Sequence, residues 1–186
     1  MKFISFLLLL SCSALEAFTQ VNDSKTDSVE AIQNFRNLFR YQNFYLGGQP
    51  AYETLLWLRE RGAQTIINLR TENENSEFAD GAFNEEKLSR EMGFSYITFP
   101  VDGLQDYNPE KLKSFSDLLA GDEIILIHCA SAVRATNFFM AYLVVNRGYT
   151  IDEALAIGRK IRFSLPLEKL LGAEIHMEPG TKANGK

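Results

Sequence analysis

Residues 122–128, DEIILIH, carry four consecutive apolar side chains, Ile124 to Ile127, and end on a histidine. A strand with one wet face alternates apolar and polar residues. An unbroken apolar run of this length reads instead as a strand covered on both sides, as in a parallel sheet between layers of helix. Residues 134–148, RATNFFMAYLVVNRG, follow after a short loop and read as a helix that is apolar nearly all round, and therefore central. A buried strand, a short loop and a buried helix thus fix the middle of the molecule.

The rest of the chain alternates in the same manner. DSVEAIQNFRNLF, from Asp27, reads as a first helix, with Asp27 or Ser28 as its cap and Glu30 in its first turn. NFYLGGQP is a short strand entering a Gly-Gly-x-Pro turn, where Gln49 is read as a turn residue. AYETLLWLRERG is an amphipathic helix stopped by Gly62, and AQTIINLR a β-branched strand. TENENSEFADG is polar and reads as a loop. AFNEEKLSREMG is a helix whose charge run EEKLSRE reads as its solvated face. FSYITFPV is a strand, DGLQDYN a loop, and PEKLKSFSDLLAG a helix with Pro109 at its first position. TIDEALAIGRKI, capped by Thr150, and LPLEKLLGAEI are the last helices. The fold class is therefore α/β: one domain over about residues 27–175, with a mostly parallel central sheet flanked by helices. Residues 176–186, including His176, read as a flexible tail.

The first residues carry a different signal. MKFISFLLLLSCSALEAF has one lysine, an apolar stretch from Phe3 to Leu10, then small residues. That pattern is a secretory signal over residues 1–17, cleaved after Ala14 or Ala17, and it is too short to anchor a mature chain across a bilayer. It implies export, to the periplasm or outside the cell. The alternative is a lipobox, LLSC, ending at Cys12, which would make a lipoprotein. Cleavage after Ala14 or Ala17 leaves Cys129 as the only cysteine, with no internal disulfide partner: a buried apolar residue or a thiol kept for reactivity. The net charge of −5 argues against a nucleic acid partner. Two histidines and the one cysteine left after cleavage, without a close cluster, argue against a dedicated metal site, and no cofactor is implied.

Ligands of open α/β sheets bind beyond the carboxyl ends of the strands. Arg70 follows TIINL, Asp102 follows SYITFPV, and His128 and Cys129 follow EIILI, with Arg134 opening the next helix. A thiol, a carboxylate and two guanidinium groups therefore converge on one edge. The amides between Cys129 and Arg134 and the helix N-terminus suit an oxyanion, and the same partial charges favour a thiolate. The planar fork of Arg134 suits two oxygens of a tetrahedral anion.

HCASAVRAT resembles the signature of the cysteine-based tyrosine and dual-specificity phosphatases. NFYLGGQP, TIINLR, YITFPVDG and IHCASAVRA, in this order between Asn34 and Gly148, resemble the bacterial beta-lactamase-hydrolase-like (DUF442) phosphatase group. The resemblance implies a dual-specificity-phosphatase-like fold and a phosphorylated substrate, protein or small molecule. It implies Cys129 as nucleophile, forming a phosphocysteine, and Ala130, Ser131, Ala132, Val133 and Arg134 as the phosphate-binding residues. Asp102 becomes the general acid, with Asp106 in reserve. His128 braces the loop and helps keep Cys129 ionised, and Thr136 donates to the sulfur. Arg70 contacts a substrate anion or makes a structural ion pair.

Three departures stand against this pattern. Four residues, not five, separate Cys129 from Arg134, a spacing also like that of rhodanese sulfurtransferases. Ala132 stands where Gly is common, and a left-handed backbone there would cost about 1–2 kcal/mol. Ala135 follows Arg134 where Ser or Thr is frequent. A noncatalytic phosphoanion-binding domain and a rhodanese-like sulfurtransferase are therefore the readings to test against a phosphatase.

Overall fold

The structure, a computed structural model, describes residues 28–79, 83–164 and 167–173. The signal-peptide and tail expectations lie outside these residues. The apolar run forms a central strand of a six-stranded sheet. In chain order the strands are β1 (Glu30–Ala31), β2 (Leu38–Tyr41), β3 (Phe44–Gly47), β4 (Ala63–Asn68), β5 (Ser95–Thr98) and β6 (Ile124–His128). Their spatial order is β1-β2-β3-β6-β4-β5. β6 pairs in parallel with β3 on one side and β4 on the other, and β5 extends β4 in parallel. The β1–β2 and β2–β3 pairings are antiparallel, at the β3 edge.

Burial on both faces of β6 follows from the two layers that cover it. The helix α5 (Val133–Arg147) lies against one face, with Ala135 through Leu143 all buried. Its Phe138 and Phe139 pack on Phe115 of α4 (Pro109–Asp117) and Phe44 of β3. α6 (Ile151–Lys160) and α7 (Leu167–Leu171) complete that layer. On the other face α1 (Tyr52–Glu60) and α3 (Glu85–Glu91) close a second cluster around Leu55, Leu58, Ile66 and Leu126. Each such fully buried large side chain contributes about 1.5–3 kcal/mol. Gly148, at φ 72°, terminates α5, and the Tyr149 N–H returns to the Leu143 carbonyl at 3.1 Å.

Two sequence expectations are corrected. Residues 28–39 are not a helix: Glu30–Ala31 pairs with β2 as a strand, and Asn37 turns the chain at φ 56°. Pairing along the β2–β3 hairpin, with the Gly48 N–H on the Asn37 carbonyl, overrides the local capping signal. Residues 71–81 are not all loop: α2 spans Glu72–Ala79. Its start is a reciprocal capping box. The Glu74 N–H donates to Thr71 Oγ1 at 3.3 Å, and the Thr71 N–H donates to Glu74 Oε2 at 2.9 Å. Among the described residues, no helix is long and apolar enough to cross a membrane.

Candidate active site

β6 delivers Cys129 to the carboxyl edge of the sheet, where its N–H donates to the Gly47 carbonyl of β3 at 3.2 Å. The thiol is buried, with 1% of the residue exposed. The chain then doubles back. Ser131 bridges to Gly48, the Gln49 N–H donates to the Ala130 carbonyl at 3.3 Å, and Ala132 takes the left-handed conformation at φ 72°, ψ −13°. Val133 begins α5 at once. The backbone therefore has the strained turn anticipated for Ala132, and the amides of 130–134 curl at a helix N-terminus, where anions are favoured.

Arg134, in the first turn of α5, is held on one edge. Its Nη1 donates to Glu74 Oε2 at 2.8 Å and to the Val101 carbonyl at 3.0 Å, and Nη2 donates to Glu74 Oε1 at 2.5 Å. The Glu74 carboxyl is lowered to about 2, chiefly by the hydrogen bond from Arg134. Burial works against the Arg134 charge, but hydrogen bonds with Glu74 and the attraction of Cys129 outweigh it and raise its pKa. The guanidinium is thus fixed, charged, and turned toward the sulfur.

Arg70 is buried and donates to the Gln49 side-chain oxygen and to the Glu74 carbonyl. His128 is fully buried, with Nε2 at 2.8 Å from Glu85 Oε1. Glu85 corrects the reading of EEKLSRE as entirely solvated: it is 8% exposed, and its Oε2 accepts from Gln49 Nε2 at 2.5 Å. Glu86, Lys87, Arg90 and Glu91 of the same helix face solvent or its edge. Gln49 is accordingly more than a turn residue, since it ties the Ala130 carbonyl, Glu85 and Arg70 together.

Asp102 is exposed and directly follows Val101, whose carbonyl holds Arg134. Asp106 differs: its Oδ2 accepts the Asp102 N–H at 2.7 Å and lies 3.7 Å from Lys111 Nζ, so it holds the turn Gly103–Asp106 that presents Asp102. Thr136 does not offer its hydroxyl to the sulfur here; Oγ1 donates to the Ala132 carbonyl at 2.8 Å and secures the left-handed turn. Tyr107, buried beside Cys129 in the core, accepts from Asn137 Nδ2 at 3.0 Å. Desolvation raises its hydroxyl pKa, and the nearby Cys129 acts in the same direction. Glu74, Glu85, Tyr107 and Asn137 lie outside the sequence-level site. Only Glu74 had a local signal, the Thr71-x-x-Glu74 capping pattern.

A family model described as PTP-NADK, DSP-PTPase phosphatase fused to NAD+ kinase, matches residues 11–166. The chain belongs to this DSP-PTPase family. The beta-lactamase hydrolase-like proteins of two Xylella fastidiosa strains, Temecula1 and 9a5c, are each 29% identical over 121 residues, 64% of this chain. The match covers 28% of those relatives' length, so this chain corresponds to about a quarter of them. Among solved structures, a DUF442 phosphatase-group protein from Shewanella putrefaciens CN-32 superposes with a TM-score of 0.55 at 21% identity, over 75% of this chain and 91% of that one. TpbA of P. aeruginosa in complex with pTyr gives 0.55 at 14% identity, over 73% and 80%. PTPMT1 in complex with PI(5)P gives 0.56 at 18% identity, over 69% and 85%. At these identities the structural matches establish the fold.

Proposed function

We propose that this DSP-PTPase domain hydrolyses phosphate monoesters, of a phosphoprotein or a small molecule, through a phosphocysteine at Cys129. The observation that carries the reading is the loop 129–134: a buried thiol, a left-handed turn that curls the amides, and Arg134 fixed by Glu74 toward the sulfur. In the first step the Cys129 thiolate attacks phosphorus and the P–O bond to the leaving group breaks. The electron pair goes to that oxygen, and Asp102 gives it a proton. In the second, water attacks phosphorus, Asp102 takes its proton, and the S–P bond breaks to return the thiolate and release phosphate. Arg134 and the amides of Ala130, Ser131, Ala132 and Val133 hold the equatorial oxygens through both steps. The signal-like residues 1–17 support an exported setting for this chemistry.

The test compares wild type with Cys129→Ser on an aryl phosphate, a phosphotyrosine peptide and a phosphoinositide, the last two classes drawn from the ligands of the structural relatives. Phosphate release by wild type and none by the variant is the expected result. A persulfide formed from thiosulfate with turnover, and no release from any ester, would give the four-residue spacing its sulfurtransferase meaning. Vanadate binding without either reaction would make the domain a phosphoanion-binding module.

A further inference from the structure

Glu85 and His128 are a carboxylate and an imidazole in contact out of water, the first 8% exposed and the second fully buried. Desolvating a carboxylate costs several kcal/mol unless its partners are well placed. Here one oxygen meets His128 Nε2 at 2.8 Å and the other accepts from Gln49 Nε2 at 2.5 Å. Gln49 in turn bonds the Ala130 carbonyl with its own N–H. The carboxylate therefore reaches the residue before Cys129 directly and the residue after it through one intermediary. Burial pushes the Glu85 carboxyl up, yet the charge and hydrogen bond of His128, then Gln49 and Arg70, outweigh burial and leave it below the ordinary value. The remaining charged or titratable groups near the pair are Arg70 just beyond β4, Tyr96 on β5, Glu86 on α3 itself, and Cys129, the chain neighbour of His128.

We infer that Glu85 is a positioning residue for the Cys129 nucleophile, acting through His128. Its carboxylate lies against the imidazole at 2.8 Å and favours positive charge beside Cys129, which in turn favours the thiolate. A carboxylate on a helix 44 residues away in sequence thereby sets the reactivity of the thiol. This goes beyond the phosphatase reading, because it concerns the thiol and not the ester cleaved.

The test is the pH profile of iodoacetamide alkylation on the full chain, followed by mass spectrometry of the peptide that contains Cys129 so that Cys12 does not contribute. Glu85→Gln should move the profile to higher pH by about one unit, a roughly tenfold lower rate below both midpoints. Glu85→Asp keeps the charge and should move it less. In a His128→Asn background, Glu85→Gln should add no further shift, since its route to the sulfur is gone. A folded Glu85→Gln protein with an unmoved profile overturns the inference, and so does an equal shift in both backgrounds. Where circular dichroism shows Glu85→Gln unfolded, His128→Asn decides: an unmoved profile there removes the route and the inference with it. Phosphate release by wild type is measured in parallel. A shifted profile without phosphate release refutes the phosphatase reading and leaves the role of Glu85 standing.

Discussion

Glu74 grips Arg134 with both carboxylate oxygens, at 2.8 and 2.5 Å. The pair crosses from α2 to the first turn of α5 and saturates one edge of the guanidinium with protein acceptors. In the proposed reaction the opposite edge is the one that receives the phosphate oxygens. Glu74→Gln keeps the shape and removes the charge. Vanadate or phosphate affinity should fall about tenfold, read as the inhibition constant against an aryl phosphate, because the fork is no longer locked before the anion arrives.

The same carboxylate predicts an acid limb in stability. Its folded pKa of about 2 lies below the unfolded value of 4.5. Its contribution is therefore complete above pH 4.5 and is lost as pH falls toward 2. Glu74 is 30% exposed, so solvent screening reduces the contribution to on the order of 1–2 kcal/mol. Urea unfolding across that window should show a shallower loss of stability in Glu74→Gln than in wild type. Parallel acid limbs for the two proteins would contradict the assignment.

Gly48 lies against the loop. A Cβ there would sit 3.2 Å from the Ala130 carbonyl oxygen and 3.6 Å from the Ser131 Cα. The atoms that must give way are backbone atoms of the Cys129–Arg134 loop, not the end of a flexible side chain. Gly48→Ala should displace the loop by a few tenths of an ångström. KM for an aryl phosphate should rise, up to about tenfold, while the thermal midpoint stays within a few degrees. A variant whose thermal midpoint falls by many degrees while its KM stays at the wild-type value would reverse that ranking.

Ala132 combines a left-handed backbone with complete burial. Replacing it by Gly relieves about 1–2 kcal/mol of backbone strain. The change also adds about 0.5–1 kcal/mol of unfolded-state entropy and removes a buried methyl worth about 0.8 kcal/mol. The terms nearly cancel, so Ala132→Gly should lie within about 1 kcal/mol of wild type in chemical denaturation. Ala132→Val places a branched Cβ in a region closed to it and overfills the turn. It should cost more than about 2 kcal/mol and abolish phosphate protection of Cys129 from alkylation.

Much of this architecture is visible in the chain because its signals are local. Ile124–Ile127 reads as a two-faced strand since helices cover both sides, AQTIINLR as a strand from its β-branched run, and Cys129 and Arg134 sit on one loop five positions apart. The N-terminal segment misleads because a cap and an acidic first turn are local, whereas the pairing of Glu30–Ala31 with β2 depends on the later hairpin. Residues 72–77 look like loop because they lack an apolar stripe. Their helix rests on the Thr71–Glu74 box and on Glu74 reaching Arg134, 60 residues away. Glu85 is hidden for the same reason: nothing within EEKLSRE distinguishes the one carboxylate that turns inward toward His128.

Asp102 and Asp106 share one turn but do different work, and kinetics should separate them. Asp106 accepts the Asp102 N–H and pairs with Lys111, so both its contacts are internal. Asp102 is exposed one residue beyond the carbonyl that holds Arg134. A phosphoryl group leaving oxygen for sulfur strands an alkoxide or phenoxide, and a positioned acid contributes about 10²–10⁴ in rate for a poor leaving group. An activated aryl oxygen needs that proton less. Asp102→Asn should therefore steepen the dependence of rate on leaving-group pKa while leaving the thermal midpoint nearly unchanged. Asp106→Asn should lower stability by about 1 kcal/mol through the weakened turn and reduce all esters by a similar factor, without changing that slope. If the steeper slope appears in Asp106→Asn and not in Asp102→Asn, the acid is Asp106 and the turn carries it to the site in a different arrangement.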